Sequence, residues 1–177
     1  MGALNGNTEI FLRDTKGSPP YVHIVTIREA ARLMGNEESM VWNPRFQVYT
    51  PDGWKKCFPR LVPTEIMCRV YFENNAYIEM RKNSRHLCNN HEDRIVDVKL
   101  EDMQVGMRCP CEDPGHYAED CAEDGDNFSS RLTCVPITAV SYTMGTTNDY
   151  FLYCIELIDG PSMFLLANGM YVKTGCI

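Results

Sequence analysis

The sequence has no long apolar run. None of its hydrophobic stretches approaches the roughly 20 residues that cross a bilayer as a helix. Its first residues also lack the apolar core of a secretory signal. A membrane span is therefore not expected, and the expected compartment is the cytoplasm. Basic charge is in deficit as well: 17 Lys and Arg face 24 Asp and Glu, for a net charge of −7. A phosphate-binding face needs the opposite balance, so nucleic acid is not an expected partner. No internal repeat is visible, which sets aside solenoid and propeller architectures. What the chain has in unusual supply is cysteine, nine in 177 residues, an odd count. Without a signal for export, such cysteines read as reduced thiols that do chemistry or bind metal.

At this length, with 44% hydrophobic and 23% charged residues, one globular domain spanning residues 1–177 is expected. Most of it reads as short strands. Thr8 to Leu12 and Tyr21 to Ile27 are rich in β-branched and aromatic residues and are separated by the breaker Gly17-Ser18-Pro19-Pro20. One helix is expected next. Thr26 and Glu29 have capping-box spacing, Ala30 to Met34 favour helix, and Gly35 is placed to stop it. Phe46 to Thr50 and Trp54 to Phe58 flank Pro51-Asp52-Gly53, and Ile66 to Phe72 and Ala76 to Met80 flank Glu73-Asn74-Asn75, giving two hairpins. Further strands are expected at Arg94 to Leu100, Thr133 to Tyr142 and Tyr150 to Leu157. Near the end, Asn168-Gly169 between two apolar runs predicts a hairpin with a type I′ turn.

The two ends of the chain form a matched set. Ala3-Leu4-Asn5-Gly6-Asn7-Thr8-Glu9-Ile10 resembles the opening C-L-x-G-D-T-x-I/V of inteins, with Ala3 in the place of the nucleophile. Phe164 to Cys176 resembles their closing F-x-A-N-G-x-x-V-H-N followed by Cys, Ser or Thr. The middle stretch Arg94 to Met107 is similar to the family's V-x-A-x-x-L-x-V-G-D segment, with Met107 in place of the Asp. The resemblance implies an all-β, horseshoe-like Hint fold of short strands with one short helix. It implies an intein proper of residues 3–175, with 1–2 and 176–177 as remnants of the flanking segments. It also implies a minimal form without a homing endonuclease, because the acidic stretch 108–131 is too short to make one.

The activity implied is single-turnover acyl transfer on the protein's own backbone, with no cofactor. A thiol or hydroxyl at the upstream junction attacks the preceding carbonyl, the residue after the downstream junction takes over the acyl group, and a terminal Asn cyclises to release the spliced product. Asn83 and His86 match the family's T-x-x-H motif, and the imidazole would shuttle the proton. The structural alternative for His86 is a histidine satisfied within the core. Cys154 stands at the Asp position of the Y-D-x-x-V segment, from which, in one subclass, an internal cysteine attacks the upstream junction; its alternative is a small buried apolar residue. Thr174 replaces the penultimate His, and Gly175 the terminal Asn. Cys176 fits the first residue beyond the junction, against the alternative of a tail thiol. Alanine cannot form a thioester and glycine cannot cyclise, so Ala3 and Gly175 predict an inactive precursor. The partners implied are the chain's own flanking segments, or a complementary fragment if the protein is split, for which Gly17 to Pro20 is a candidate point.

A different class of function is suggested by Cys109, Cys111, His116 and Cys121, which resemble a zinc knuckle whose first pair is one residue short. Zinc-stabilised binding module is thus the second reading; a metal-free acidic loop is its bland counterpart. The run from Cys111 to Asp126 has seven carboxylates and no Lys or Arg, so even a zinc-bound knuckle there would repel phosphates. A third reading is a self-cleaving domain that does not rejoin its flanks.

Overall fold

A computed structural model describes residues 2–18, 20–35, 45–63, 66–112, 132–143, 151–159 and 163–175. The helix starts as its cap dictates: Thr26 is extended and its hydroxyl accepts the Glu29 N–H at 3.2 Å. Ile27, Ala30, Ala31 and Met34 of helix α1 (Ile27–Met34) recur at helical spacing and are all buried. Gly35, at a φ of 133°, ends it.

Apart from a 3-10 turn at Leu100–Asp102, the other regular elements among the described residues are strands, and all their pairing is antiparallel. The first sheet has the order β11 (Phe151–Leu157), β4 (Gly53–Pro63), β3 (Phe46–Thr50), β1 (Glu9–Asp14), β2 (Tyr21–Thr26). The second runs β6 (Tyr77–Arg81), β5 (Met67–Phe72), β10 (Thr133–Thr143), β9 (Arg108–Cys111), β7 (Arg85–Asn89), β8 (Ile95–Lys99). Strands β12 (Met163–Leu165) and β13 (Tyr171–Lys173) form a separate hairpin.

Two 11-residue strands make the corners. β4 pairs with β3 through its first four residues and with β11 through its remainder. β10 pairs with β9 over 133–136, is bulged between Ile137 and Ala139, and then pairs with β5. A bulge bends a strand and sharpens its twist, which lets one chain segment serve two neighbours. The largest apolar cluster joins both sheets and the tail hairpin, including Leu4, Ile10, Leu12, Val70, Met80, Ile155, Phe164 and Val172. Burying each such side chain contributes about 1.5–3 kcal/mol.

The structure corrects several expectations. Arg85–Asn89 and Arg108–Cys111 are strands, although the second opens the stretch read as an acidic insertion. The tail turn is not type I′, which needs positive φ at both central residues. Only Gly169 is left-handed there, at 87°, with its N–H donating to Leu166 O at 3.0 Å and Leu166 N–H to Met170 O at 2.8 Å. This is a three-residue loop with glycine in the bulge position. The Gly17–Pro20 candidate split point includes Pro19, which lies outside the described residues.

Candidate functional site

The head of the chain is zipped between the open edges of the two sheets. Leu4 forms ladder bridges to Met80 in β6 and to Tyr153 in β11. Its N–H donates to Tyr153 O at 2.7 Å and Tyr153 N–H returns the bond at 2.8 Å. On the other side, Arg81 N–H donates to Ala3 O at 3.0 Å. One residue upstream, Gly2 N–H donates to Gly175 O at 2.9 Å, and Gly175 N–H donates to Ile155 O at 2.9 Å. Ala3 and Gly175, far apart in sequence, are thereby brought to one place. Ala3 is fully buried in a small cluster with Met67, Leu152 and Cys154.

The tail carries Gly175 to this place. Its hairpin is clamped to both sheets: Ala167 N–H donates to Glu9 O at 2.9 Å, and Glu112 N–H to Gly169 O at 2.7 Å. Asn168 Nδ2 donates to Tyr77 O at 2.7 Å. Tyr171 hydroxyl donates to the buried carboxylate of Glu112. Burial and that carboxylate push the Tyr171 phenol far above its usual range. Lys173 Nζ lies 2.7 Å from Asp97 Oδ2, which Arg85 Nε also approaches at 3.4 Å. Asp97 is held below the ordinary carboxylate range, since these two cations outweigh its partial burial.

His86 faces this tail. Its Nε2 is 2.8 Å from Tyr171 O, its Nδ1 is 2.7 Å from Leu87 O, and the ring is fully buried. Both contacts are donations only for the imidazolium; a neutral ring has one N–H and leaves a lone pair against the other carbonyl. Burial disfavours the charge and is the larger effect, so the His86 pKa lies below its ordinary value, against the pull of the two carbonyls and Asp97. A lowered folded-state pKa means the unfolded chain takes up the proton first as pH falls. Stability conferred by the neutral ring is therefore present above about pH 6.5 and lost below it. Urea midpoints measured from pH 7 to pH 5 should fall. His86→Gln should flatten that decline, by at most about 1.4 kcal/mol per pH unit; equal slopes for both proteins would exonerate His86.

The other expected site residues separate. Asn83 is exposed, and Thr174 is half-buried beside Gly175. Cys154 is buried against Ala3 and is disulfide-bonded. Six other cysteines are free thiols, whereas the disulfide at Cys154 departs from the expectation of reduced cysteines. Cys176, His116 and Cys121 lie outside the described residues. Cys109 and Cys111 belong to a paired strand, and Cys111 Sγ is 3.3 Å from Thr133 Oγ1. Among the described residues no three His, Cys, Asp or Glu are grouped to hold a metal, so the zinc knuckle has no support there.

Ser84 was not foreseen. The turn holding the Ala3 carbonyl begins at Arg81 and closes with Ser84 N–H donating to Arg81 O at 2.8 Å. Ser84 is fully buried and its hydroxyl has no partner among the described residues. Its only sequence signal is its place, three residues past the first residue of a turn that follows an edge strand.

An antiparallel scaffold of this kind, with its first and last described segments hydrogen-bonded to each other, is the Hint architecture. Solved inteins share it along their whole length. The transcription factor IIB Mvu mini-intein superposes with a TM-score of 0.70 at 11% identity, covering 96% of this chain and 99% of that one. An intein from a hyperthermophile gives 0.71 at 16% identity, covering 98% and 99%. The DnaB intein from Synechocystis sp. gives 0.63 at 12% identity, covering 99% and 100%. No family model matches the sequence, and neither does any curated protein. The chain has the intein fold in its minimal form, without an endonuclease. No helix among the described residues is long and apolar enough to cross a membrane.

Proposed function

We propose that this chain is a protein-splicing domain held as an unreacted precursor. The observation that carries the reading is the 2.9 Å hydrogen bond from Gly2 N–H to Gly175 O, which sets the two candidate junctions side by side. The domain proper is residues 3–175; the Gly2–Ala3 and Gly175–Cys176 links are its substrates, and the flanking segments its partners. A thiol at position 3 would attack the Gly2 carbonyl, passing the acyl group from nitrogen to sulfur while the thiol's proton is delivered to the departing nitrogen, which becomes a free amine. Cys176 would then accept the acyl group, and an Asn at 175 would cyclise. Ala3 has no attacking atom and Gly175 no side-chain amide nitrogen, so neither step proceeds. Asn83, His86 and Thr174 are the proposed assistants from the motif set. Of these His86 has the best support, because its ring touches the Tyr171 carbonyl four residues before Gly175.

The internal-cysteine route has one observation in its favour, the packing of Cys154 against Ala3. A disulfide is not a nucleophile, so this route requires reduction first.

The test places the chain between two foreign segments with Ala3→Cys and Gly175→Asn. Position 175 has room for a side chain, with nothing within 4 Å of an added Cβ. Its φ of 84° is one that Asn tolerates better than most residues. A ligated product of the two flanks, identified by mass, is the expected result. Release of unjoined flanks would favour a self-cleaving domain, and unreacted precursor from a folded chain would refute both.

A further inference from the structure

Three sulfur atoms meet on the buried face of the second sheet, two residues along β7 from His86. Asn89 of β7 pairs with Arg108 of β9, so one step along this antiparallel register places Cys88 opposite Cys109. Opposed residues of this kind have Cβ atoms about 4.5–5.5 Å apart. Met107 lies two residues before Cys109, and its Sδ is 3.9 Å from Cys88 Sγ. Both cysteines are free thiols, and all three residues are buried, Met107 the least so at 9% exposure. With the roughly 2.3 Å metal–sulfur length of zinc thiolates as a guide, three sulfurs around one ion lie about 4.0 Å apart. The pair whose separation is known already has that spacing.

We propose that Cys88, Cys109 and Met107 form a buried binding site for a soft monovalent metal ion, with Cu(I) as its chemical fit. Two thiolates and a thioether suit Cu(I), whereas zinc and harder ions want nitrogen, oxygen or a third and fourth thiolate. Among the described residues no third Cys, His, Asp or Glu completes such a set, which disfavours zinc here and leaves the thioether as the third donor. One thiol proton already lies in a hydrogen bond between Cys88 and Cys109. Cu(I) would replace this proton and release the second, leaving a site with one net negative charge. A bound ion would also tie β7 to β9, which share one paired position among the described residues.

The site needs no splicing activity and stands or falls separately from it. The test uses the full chain with Cys121→Ser, Cys134→Ser, Cys154→Ala and Cys176→Ser, titrated anaerobically with acetonitrile-stabilised Cu(I) against bicinchoninate. One Cu(I) per chain should be withheld from the chelator, and X-ray absorption should show three sulfurs at about 2.3 Å. Cys109→Val should weaken retention at least 100-fold. Met107→Leu conserves volume and fold; it should weaken retention about tenfold and leave two sulfurs. Failure to retain Cu(I), a nitrogen or oxygen shell, or retention unchanged in Cys109→Val would each overturn the proposal.

Discussion

In a chain carrying Ala3→Cys and Gly175→Asn, changing Gly2 to valine should reduce upstream cleavage by about 100-fold or more. A Cβ built on Gly2 falls 2.0 Å from Lys173 O and 3.1 Å from the Met80 Cε. The methyl group could be displaced, but the carbonyl belongs to β13, which is paired with β12 from Lys173 to Tyr171. The head must therefore move, breaking the Gly2–Gly175 hydrogen bond and withdrawing the carbonyl to be attacked. A misplacement of about 1 Å at a reacting centre costs on the order of 10²-fold. Thioester formation can be read as thiol-induced cleavage, with circular dichroism confirming that the variant folds. Unchanged cleavage in Gly2→Val would mean that the Gly2 carbonyl is not the one attacked, or that β13 yields easily. The same geometry makes position 2 selective: glycine fits, and any residue with a Cβ is rejected on steric grounds.

Leu4→Ala should be the most damaging single truncation at the head, lowering stability by about 3 kcal/mol. Leu4 has no exposed surface and belongs to the cluster shared by both sheets. Its backbone is also the stitch between β6 and β11, and a cavity under it loosens both edges at once. For a chain of this size the expected fall in Tm is about 6–12 °C. Leu33→Ala, at a position 48% exposed, serves as the comparison and should change Tm little. A drop under about 2 °C for Leu4→Ala in calorimetry would show that the head is a passenger rather than a fastening.

The parts of the fold legible in the sequence are those with local causes. Thr26 and Glu29 announced the helix because a cap is a short-range hydrogen bond, and it formed as read. The hairpin turn at Glu73–Asn75 was legible for the same reason; Asn75 takes a φ of 64°. β7 and β9 were missed because their sequences, Arg-His-Leu-Cys-Asn and Arg-Cys-Pro-Cys, lack the β-branched residues that advertise a strand. Neighbouring strands hold them instead, and β9 accommodates Pro110 opposite Cys134. The tail turn was placed correctly and typed wrongly, since Asn-Gly fits both a two-residue loop and a three-residue loop ending in glycine. Convergence of the termini came from the resemblance of the two end motifs alone. No periodicity could carry it, because it depends on which edges the sheets leave open. Ser84 was invisible for a related reason: a serine in a polar run gains meaning only from what is folded over it.

The nearness of Gly2 to Gly175 also changes what a surrounding polypeptide experiences. Two attachment points within one hydrogen bond of each other span almost no distance. A surface loop interrupted by this domain would keep its own end-to-end separation, so the carrier could fold around the guest without being stretched. Tolerance of the guest would then depend on the loop's exposure and not on its length.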